Sequence, residues 1–257
     1  MFFSDLDRTL IYSKRFVEGI DTPLVLVEEK DGREISYMTP ASYISLQEMR
    51  SLTTFVPVTA RKWEEAMRIS FIKNDPPEIL VCEAGRSIFR NGRRDVFWDA
   101  HIYHLMEANQ EDRKEAMERF FVEMKALGYP AWSINEYMVM TKVDGWTKDQ
   151  KERVSDMYSW FYERGCLLLI QGRKVYLIPQ GISKASAIRY LIQLYNPLIT
   201  VSSGDAEMDA SMFAVTSDGI APLHHTISLL PKCSITQQSG IYASEEIIAY
   251  AKKKLCV

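Results

Sequence analysis

Two carboxylates stand two positions apart near the start of the chain. Asp5 and Asp7 follow the apolar residues 1–3, and Thr9 closes the segment. At the end of a short buried strand this pair is costly, because like charges at close range disfavour joint ionisation. A hard cation such as Mg²⁺, or a reaction that uses both groups, would offset that cost. Taken alone, the same residues also fit ordinary turn chemistry at the end of a strand.

Further polar residues follow apolar runs or open a helix-like stretch in the same manner. They are Thr59 after residues 55–58, Lys184 before residues 185–195, and Asp205 with Asp209 after residues 199–201. In open α/β sheets, ligands bind outside the carboxyl ends of the strands. Two acids, a hydroxyl, a lysine and two more acids, in this order, therefore predict one site at that edge of a sheet.

In this order the residues resemble the four motifs of the haloacid dehalogenase-like hydrolases, a superfamily of Mg²⁺-dependent phosphotransferases. The motifs read Asp5-Leu6-Asp7-Arg8-Thr9, then Thr59, Lys184 and Gly204-Asp205-Ala206-Glu207-Met208-Asp209, within residues 2–213. The chain departs from the usual pattern at two positions. Arg8 stands where Gly is common and could change what approaches the mouth of the site. Met208 stands where many relatives carry Asn, which removes one possible polar contact near the metal.

The resemblance implies a phosphoric monoester hydrolase and a role for each acid. Asp5 would be the nucleophile that forms an aspartyl-phosphate. Asp7 would be the acid for the leaving oxygen and then the base for water. Mg²⁺ would be held by Asp5, by the backbone carbonyl of Asp7 and by Asp205. Asp209 would ligate it through water or orient Asp205.

The phosphate group would be held by Thr59 and Lys184, which would neutralise charge in the transition state. Singly, these residues have ordinary alternatives: a β-branched strand residue and a solvated lysine at a helix start. Arg61 could reach the substrate beside Thr59 or lie on a solvated helix surface. Gly85 could let the backbone approach a ligand closely, or mark a simple turn.

The elements that must position these residues alternate between strands and helices. Apolar runs predict core strands at residues 55–58, 78–82 and 199–201, and periodicity predicts core helices at residues 40–52, 62–73, 185–195 and 244–255. The fold class is therefore α/β. We expect a Rossmann-like three-layer core with a parallel sheet in residues 1–90 and 180–257.

The middle of the chain, residues 91–179, predicts an inserted α+β cap domain. Amphipathic helices are expected at residues 111–127 and 147–163, and strands at residues 137–140, 167–170 and 174–178, the last two joined across residues 171–173. Its place between the second and third motifs resembles the type II cap of sucrose-phosphate phosphatases and Cof-type sugar phosphatases. Its aromatic residues could stack on a sugar or a base, although a core role is favoured for most of them.

A hairpin is predicted directly after the first motif. The β-prone residues 24–27 and 35–38 flank an Asp-Gly pair at residues 31 and 32, which is a strong hairpin signal. Because relatives carry a mobile flap there, the hairpin is interpreted as an enlarged flap near the site. A plain surface hairpin is the alternative.

Composition and charge narrow the class of protein. The 257 residues are 47% hydrophobic and 25% charged with a net charge of −3, so no electrostatic footprint for nucleic acid is present. No apolar stretch reaches the roughly 18 residues of a membrane span, and the first motif begins too early to leave room for a cleavable signal. We therefore expect a cytoplasmic protein that binds neither nucleic acid nor membrane.

Cysteine and histidine residues suggest no further site. Four cysteines, Cys82, Cys166, Cys233 and Cys256, are scattered without CxxC spacing and are expected to be reduced. The histidine pairs are expected to lie on the surface, because no nearby Cys or acid completes a zinc set. These pairs are His101 with His104, and His224 with His225.

The expected substrate is a small phosphorylated metabolite, with a sugar phosphate ahead of a nucleotide, by analogy with type II caps. The acid at Asp7 favours phosphoryl transfer over dehalogenation, since a halide leaving group needs no proton. Two alternatives remain open: a phosphomutase on the same scaffold, and a non-catalytic protein that senses a ligand in the presence of Mg²⁺. The sequence does not determine the oligomeric state.

Overall fold

The computed structural model describes residues 1–171, 173–227 and 233–255. The chain divides into two compact units, one formed by Met1–Asp99 with Ser183–Val257 and the other by Ala100–Ile182. Residues 91–99, assigned by sequence to the cap, cluster with the first unit. The reason is Asp95, which accepts hydrogen bonds from the Tyr190 hydroxyl at 3.1 and 3.2 Å.

The first unit is built on a five-stranded parallel sheet, which confirms the predicted α/β core. Its strands lie in the order Cys233–Ile235, Asp218–Ala221, Val201–Ser203, Phe2–Ser4 and Phe55–Pro57. The strand Phe2–Ser4 lies between Val201–Ser203 and Phe55–Pro57, and its buried residue Phe2 packs in one apolar cluster with Leu46 and Ile247 of two flanking helices. The first two strands in this order were not predicted, and one of them begins with Asp218-Gly219, residues that disfavour strand structure.

The helices of this unit begin where the sequence provides caps. Thr39 accepts a hydrogen bond from the Ser42 amide, with Pro40 at the first helical position, and Ser183 accepts one from the Ser186 amide. The α-helices are Pro40–Leu52, Trp63–Ala66, Ser70–Lys73, Lys184–Tyr195, Ala210–Phe213 and Ala243–Leu255, and 3₁₀ turns occur at Lys14–Phe16, Glu83–Gly85, Glu207–Asp209 and Gly240–Tyr242. A further helix, Val96–Glu107, includes residues assigned to both units.

The predicted helix over residues 62–73 is wrong as a single element. It is interrupted at Ile69, whose backbone is extended and pairs antiparallel with Glu28. Helical hydrogen bonding cannot continue through a residue that is bonded to a neighbouring strand. The two short helices on either side, Trp63–Ala66 and Ser70–Lys73, are what remains.

The predicted hairpin is confirmed. Strands Val25–Lys30 and Arg33–Met38 pair antiparallel, and Tyr12–Ser13 adds a third strand beside them. Both turn residues, Asp31 and Gly32, have positive φ angles, of 52° and 71°, as an Asp-Gly turn requires.

The strand predicted at residues 78–82 does not join the parallel sheet as a full member. It is observed as Ile79–Cys82 and pairs antiparallel with Ser87–Arg90, which in turn pairs with Arg93–Arg94. A single parallel bridge, from Val58 to Val81, links it to the central sheet. The turn that joins Ser87–Arg90 to Arg93–Arg94 is Asn91-Gly92, a pair of residues typical of hairpin turns.

The second unit is an antiparallel sheet packed against helices, as the prediction of an α+β domain required. The strand order is Cys166–Gln171, Lys174–Pro179, Val139–Lys142 and Ala131–Ser133, and the helices are Gln110–Ala126, Lys148–Asp156 and Tyr158–Glu163. Phe120 and Phe161 from the helices and Leu177 from the sheet share its apolar core. The helix predicted over residues 147–163 is divided at Met157. Gly172, in the predicted turn, lies outside the described residues.

The aromatic residues considered for stacking on a substrate differ in burial. Tyr129, Trp146 and Trp160 pack against the core and Tyr137 is half-buried, so the core role expected for most of them holds for three. Trp132, Tyr158 and Tyr162 are exposed.

Two further expectations concern the whole chain. Among the described residues, no helix combines the length and the apolar character that crossing a membrane requires. Cys82, Cys166 and Cys233 are free thiols, and Cys256 lies outside the described residues.

Candidate functional site

The predicted nucleophile lies at the carboxyl end of an interior strand of the parallel sheet. Asp5 directly follows Phe2–Ser4, and its amide donates a hydrogen bond of 2.9 Å to the carbonyl of Ser203 in the adjacent strand. Because the neighbouring strands are parallel, the residues that follow them meet at the same edge. The structure thus brings Asp5 together with Asp205 and Asp209, as predicted from the order of the motifs.

Lys184, the first residue of its helix, reaches into this group of acids. Its Nζ atom donates to Asp5 Oδ1 at 2.5 Å and to Asp209 Oδ1 at 2.6 Å, and its side chain is 2% exposed. Burial lowers the pKa of Lys184, but the charges of Asp209 and Asp5 outweigh that effect and hold the pKa above its usual range. The alternative of a solvated lysine at a helix start is therefore wrong.

Burial also has the largest effect on the pKa values of Asp5 and Asp205. It raises the pKa of Asp5 well above its ordinary value, against the opposing charge of Lys184. It raises the pKa of Asp205 to about 7, with a further contribution from the negative charge of Asp209. Among the described residues, Lys184 bonds only Asp5 and Asp209, and the third buried carboxylate, Asp205, pairs with the partly exposed Arg8, so three acids face two cations.

Asp209 is held by backbone amides of residues that precede it in the chain. Its Oδ2 atom accepts hydrogen bonds of 3.0 Å from the amides of Asp205 and Ala206. This loop requires glycine at position 204, because a Cβ atom there would lie 2.6 Å from the Asp209 carboxyl carbon. Since both Asp209 oxygens are already used, this residue is suited to orient Asp205 and Lys184.

The acids fit a hard divalent cation. Oxygen atoms of Asp5, Asp205 and Asp209 lie within 4.8 Å of one another, and carboxylate oxygens are the ligands that Mg²⁺ prefers. Burial and then the negative charge of Asp209 raise the pKa of Asp205, and a cation bound between these acids would offset both effects. Asp5 and Asp205 are the better candidates for direct ligands, because Asp209 is occupied.

Asp7 lies outside this buried group and forms a bidentate ion pair with Arg61. The Arg61 Nε atom is 2.8 Å from Asp7 Oδ2, and Nη2 is 2.7 Å from Oδ1. The opposite side of the same guanidinium binds Glu28 at 2.8 and 2.9 Å. Arg61 is therefore not on a solvated helix surface, which was one of its two predicted positions. Glu28 had no recognisable signal in the sequence.

Arg8 also pairs with an acid of the site. Its Nη1 atom lies 3.2 Å from Asp205 Oδ2, and its guanidinium lies over the ring of Phe16. The backbone of Arg8 has a φ angle of 59°, the left-handed conformation that favours glycine. The residue that distinguishes this chain from the common pattern thus contacts a predicted metal ligand.

His224 supports the loop that carries Arg8. Its Nδ1 atom accepts from the Gly240 amide at 3.1 Å, so Nε2 carries the hydrogen and donates to the Arg8 carbonyl at 3.0 Å. Burial lowers the pKa of His224. The prediction that His224 lies on the surface is wrong, because the ring is half-buried and binds backbone on both sides.

Thr59 and Gly85 occupy the neighbouring loops. Thr59 is buried, and its Oγ1 atom accepts from the Arg61 amide at 3.1 Å. Gly85 has a φ angle of 102°, and a Cβ atom there would overlap the Ser183 carbonyl. Glycine at position 85 thus leaves room for the backbone of Ser183, at the start of the helix that carries Lys184.

No protein-family model matches the chain, and no curated protein matches its sequence. Solved structures do match over nearly the whole length. The sucrose-phosphatase from Synechocystis sp. PCC6803, in complex with sucrose and phosphate, has a TM-score of 0.69 at 16% identity, covering 99% of this chain and 97% of the other. The haloacid dehalogenase-like hydrolase protein yhjK from Bacillus subtilis has a TM-score of 0.58 at 15% identity, covering 99% and 91%.

A third match is the HAD subclass IIB sugar phosphatase BT4131, with a TM-score of 0.58 at 12% identity, covering 98% of this chain and 97% of that chain. At such low identities the similarity is informative about the fold alone. The chain has the α/β core and the inserted α+β domain of the haloacid dehalogenase-like fold, as the resemblance of its motifs predicted.

Proposed function

We propose that the protein is a Mg²⁺-dependent phosphatase that hydrolyses a small phosphorylated metabolite through an aspartyl-phosphate. The observation that supports this proposal is the buried group in which Lys184 joins Asp5 to Asp209 beside Asp205. A structural ion pair needs one acid for one lysine. The surplus of acids at the carboxyl end of the central sheet is the arrangement that a metal-assisted phosphoryl transfer uses.

In the first step, an oxygen of Asp5 attacks phosphorus and the bond from phosphorus to the leaving oxygen breaks. Asp7 gives its proton to that oxygen, so an alcohol leaves. In the second step, Asp7 takes a proton from the water that attacks phosphorus, and Asp5 is released with inorganic phosphate. Asp5 is suited to the attack because Lys184 fixes one of its oxygens and burial keeps water away.

Asp5, Asp205 and the backbone carbonyl of Asp7 would hold Mg²⁺, with Asp209 orienting Asp205. When bound, Mg²⁺ would neutralise charge on the phosphate oxygens. Lys184 and Thr59 would contact the remaining phosphate oxygens. Arg61 and Gly85 remain candidates for substrate binding, although the contacts observed for both are with protein.

A sugar phosphate is the favoured substrate and a nucleotide is the second choice. The support comes from fold neighbours described as a sucrose-phosphatase and a sugar phosphatase, and from the exposed Trp132, Tyr158 and Tyr162 of the second unit. Exposed aromatic rings could stack on the apolar face of a sugar or on a base.

The test is phosphate release from a panel of sugar phosphates and nucleotides, with and without Mg²⁺. We expect release that requires Mg²⁺ and falls at least about 10³-fold in Asp5→Asn, which removes the nucleophile while keeping its size. Asp31→Asn, in the exposed hairpin turn, is the matched control and should retain full activity. No release from any substrate, or equal release by Asp5→Asn, would contradict the proposal.

A further inference from the structure

Glu28 is a buried carboxylate in the hairpin, at the point where the strand Val25–Lys30 becomes exposed. Its side chain is 0% exposed, whereas the next two residues along the strand are exposed. Burying a carboxylate is costly unless it is paired and hydrogen-bonded. Glu28 meets that condition, since Arg61 donates to both of its oxygens, Arg68 Nε donates at 3.1 Å and the Ser36 hydroxyl donates at 2.8 Å.

The backbone aims Glu28 inward. The pairing register of strands Val25–Lys30 and Arg33–Met38 shifts on both sides of this residue, and Glu28 forms an antiparallel bridge with Ile69. Irregular pairing of this kind turns a side chain away from its regular alternation. The bridge also ties the hairpin to the segment that carries Arg68, so the carboxylate is fixed from two directions.

Arg61 links Glu28 to Asp7 by hydrogen bonds to both carboxylates. Its Nη1 and Nη2 atoms bind Glu28, and its Nε and Nη2 atoms bind Asp7. A guanidinium is planar and rigid, so fixing one edge fixes the direction of the other. Arg61 is 13% exposed, whereas Asp7 is 52% exposed. A carboxylate as exposed as Asp7 would sample several rotamers, and the bidentate contact selects one of them.

We infer that Glu28 is a positioning residue, which holds Arg61 so that Arg61 fixes the ionised carboxylate of Asp7 as the base that takes a proton from water in the second step. This inference rests on the proposed function, in which Asp7 is that base. It couples the hairpin to one chemical event, the hydrolysis of the aspartyl-phosphate. Attack by Asp5 and binding of phosphate do not depend on it.

The test separates formation of the aspartyl-phosphate from its hydrolysis. With p-nitrophenyl phosphate, formation releases a stable phenolate that needs no acid, whereas hydrolysis needs the base. In Glu28→Gln we expect the rate of the initial phenolate burst to stay within about threefold of wild type and the steady-state rate to fall about 10- to 100-fold. Glu29→Gln, the exposed neighbour on the same strand, is the control and should change neither rate.

Arg61→Lys provides a second variant, because lysine keeps the charge but cannot bind two carboxylates in fixed geometry. It should show the same selective loss. A purely structural role of Glu28 would lower the burst amplitude and the steady-state rate by the same factor, through a smaller folded fraction, and would overturn the inference. An unchanged steady-state rate would overturn it as well.

Absence of phosphatase activity in the wild type would contradict the proposed function but still leave the coupling measurable. The urea midpoints of Glu28→Gln, Asp7→Asn and the double variant form a cycle. We expect the two shifts to be non-additive, because the two carboxylates are joined through Arg61. Additive shifts would overturn the coupling.

Discussion

The ammonium group of Lys184 lies 2.5 Å from the carboxylate of Asp5, although the two residues are 179 positions apart in the chain. Both side chains are buried, and the lysine has Asp209 as a second partner at 2.6 Å. The pair therefore ties the amino-terminal strand to the helix Lys184–Tyr195. Among the ion pairs of the described residues, Lys184 is also the only cation that contacts Asp5, the predicted nucleophile.

Lys184→Met should destabilise the metal-free protein by about 3–5 kcal/mol, because it leaves two buried carboxylates without their shared cation. Urea denaturation in the presence of a chelator measures this loss. Lys252→Met is the matched control, since Lys252 pairs with Glu48 at the surface at 2.9 Å and should change stability by less than about 1 kcal/mol. Similar losses for both variants would contradict a buried, paired lysine.

Arg8→Gly should tighten Mg²⁺ binding about three- to tenfold. The guanidinium of Arg8 pairs with Asp205 at 3.2 Å and must yield part of that contact when the carboxylate binds a cation. Glycine is chosen because it accepts the left-handed backbone at this position. Isothermal titration with Mg²⁺ measures the change.

Arg15→Ala serves as the control for Arg8→Gly, because Arg15 lies over the same Phe16 ring without pairing with Asp205. It should leave the Mg²⁺ affinity unchanged. Weaker Mg²⁺ binding in Arg8→Gly would mean that Arg8 supports the metal ligands and does not compete for them.

The site was predictable where polar residues follow strands, because the carboxyl ends of parallel strands converge. That rule placed Asp5, Asp205 and Asp209 together. It could not reveal Glu28, since whether a strand residue points inward depends on a register shift that no local pattern encodes.

Prediction of the secondary structure from local sequence patterns had the same limit. Periodicity located the long helices, such as Pro40–Leu52, but it could not show that Ile69 pairs with a distant strand and breaks a helix. The Asn91-Gly92 turn carried a local signal and could have been identified. Local rules therefore recovered the elements, and long-range pairing accounts for most of the errors.

Gly85→Ala should destabilise the protein by more than about 3 kcal/mol. Its Cβ atom would overlap the Ser183 carbonyl, in addition to the strain of a positive φ angle. Gly92→Ala is the matched control, because Gly92 also has a positive φ angle but has nothing within 4 Å of the added Cβ atom. Its cost should be about 1 kcal/mol. Thermal unfolding measures both, and equal losses would show that the contact with Ser183 does not matter.

The stabilising effect of Glu28 should depend on pH. Burial alone would raise the pKa of this carboxyl, but hydrogen bonds and charge from Arg61, with help from Ser36 and Arg68, hold the pKa below its ordinary value of 4.5. A group whose pKa is lowered by folding stabilises the protein above its unfolded pKa and loses that effect as the pH falls through its folded pKa. The free energy of unfolding of wild type should therefore exceed that of Glu28→Gln by about 2–4 kcal/mol at neutral pH.

This difference in the free energy of unfolding should shrink as the pH falls below about 4.5, toward the lower pKa of the folded state. Urea denaturation of both proteins at about pH 7 and about pH 3 measures it, and the other acids cancel because the two proteins share them. Glu29→Gln, at an exposed position, should differ little from wild type at either pH. A difference between wild type and Glu28→Gln that stays constant with pH would mean that the charge of Glu28 does not stabilise the fold.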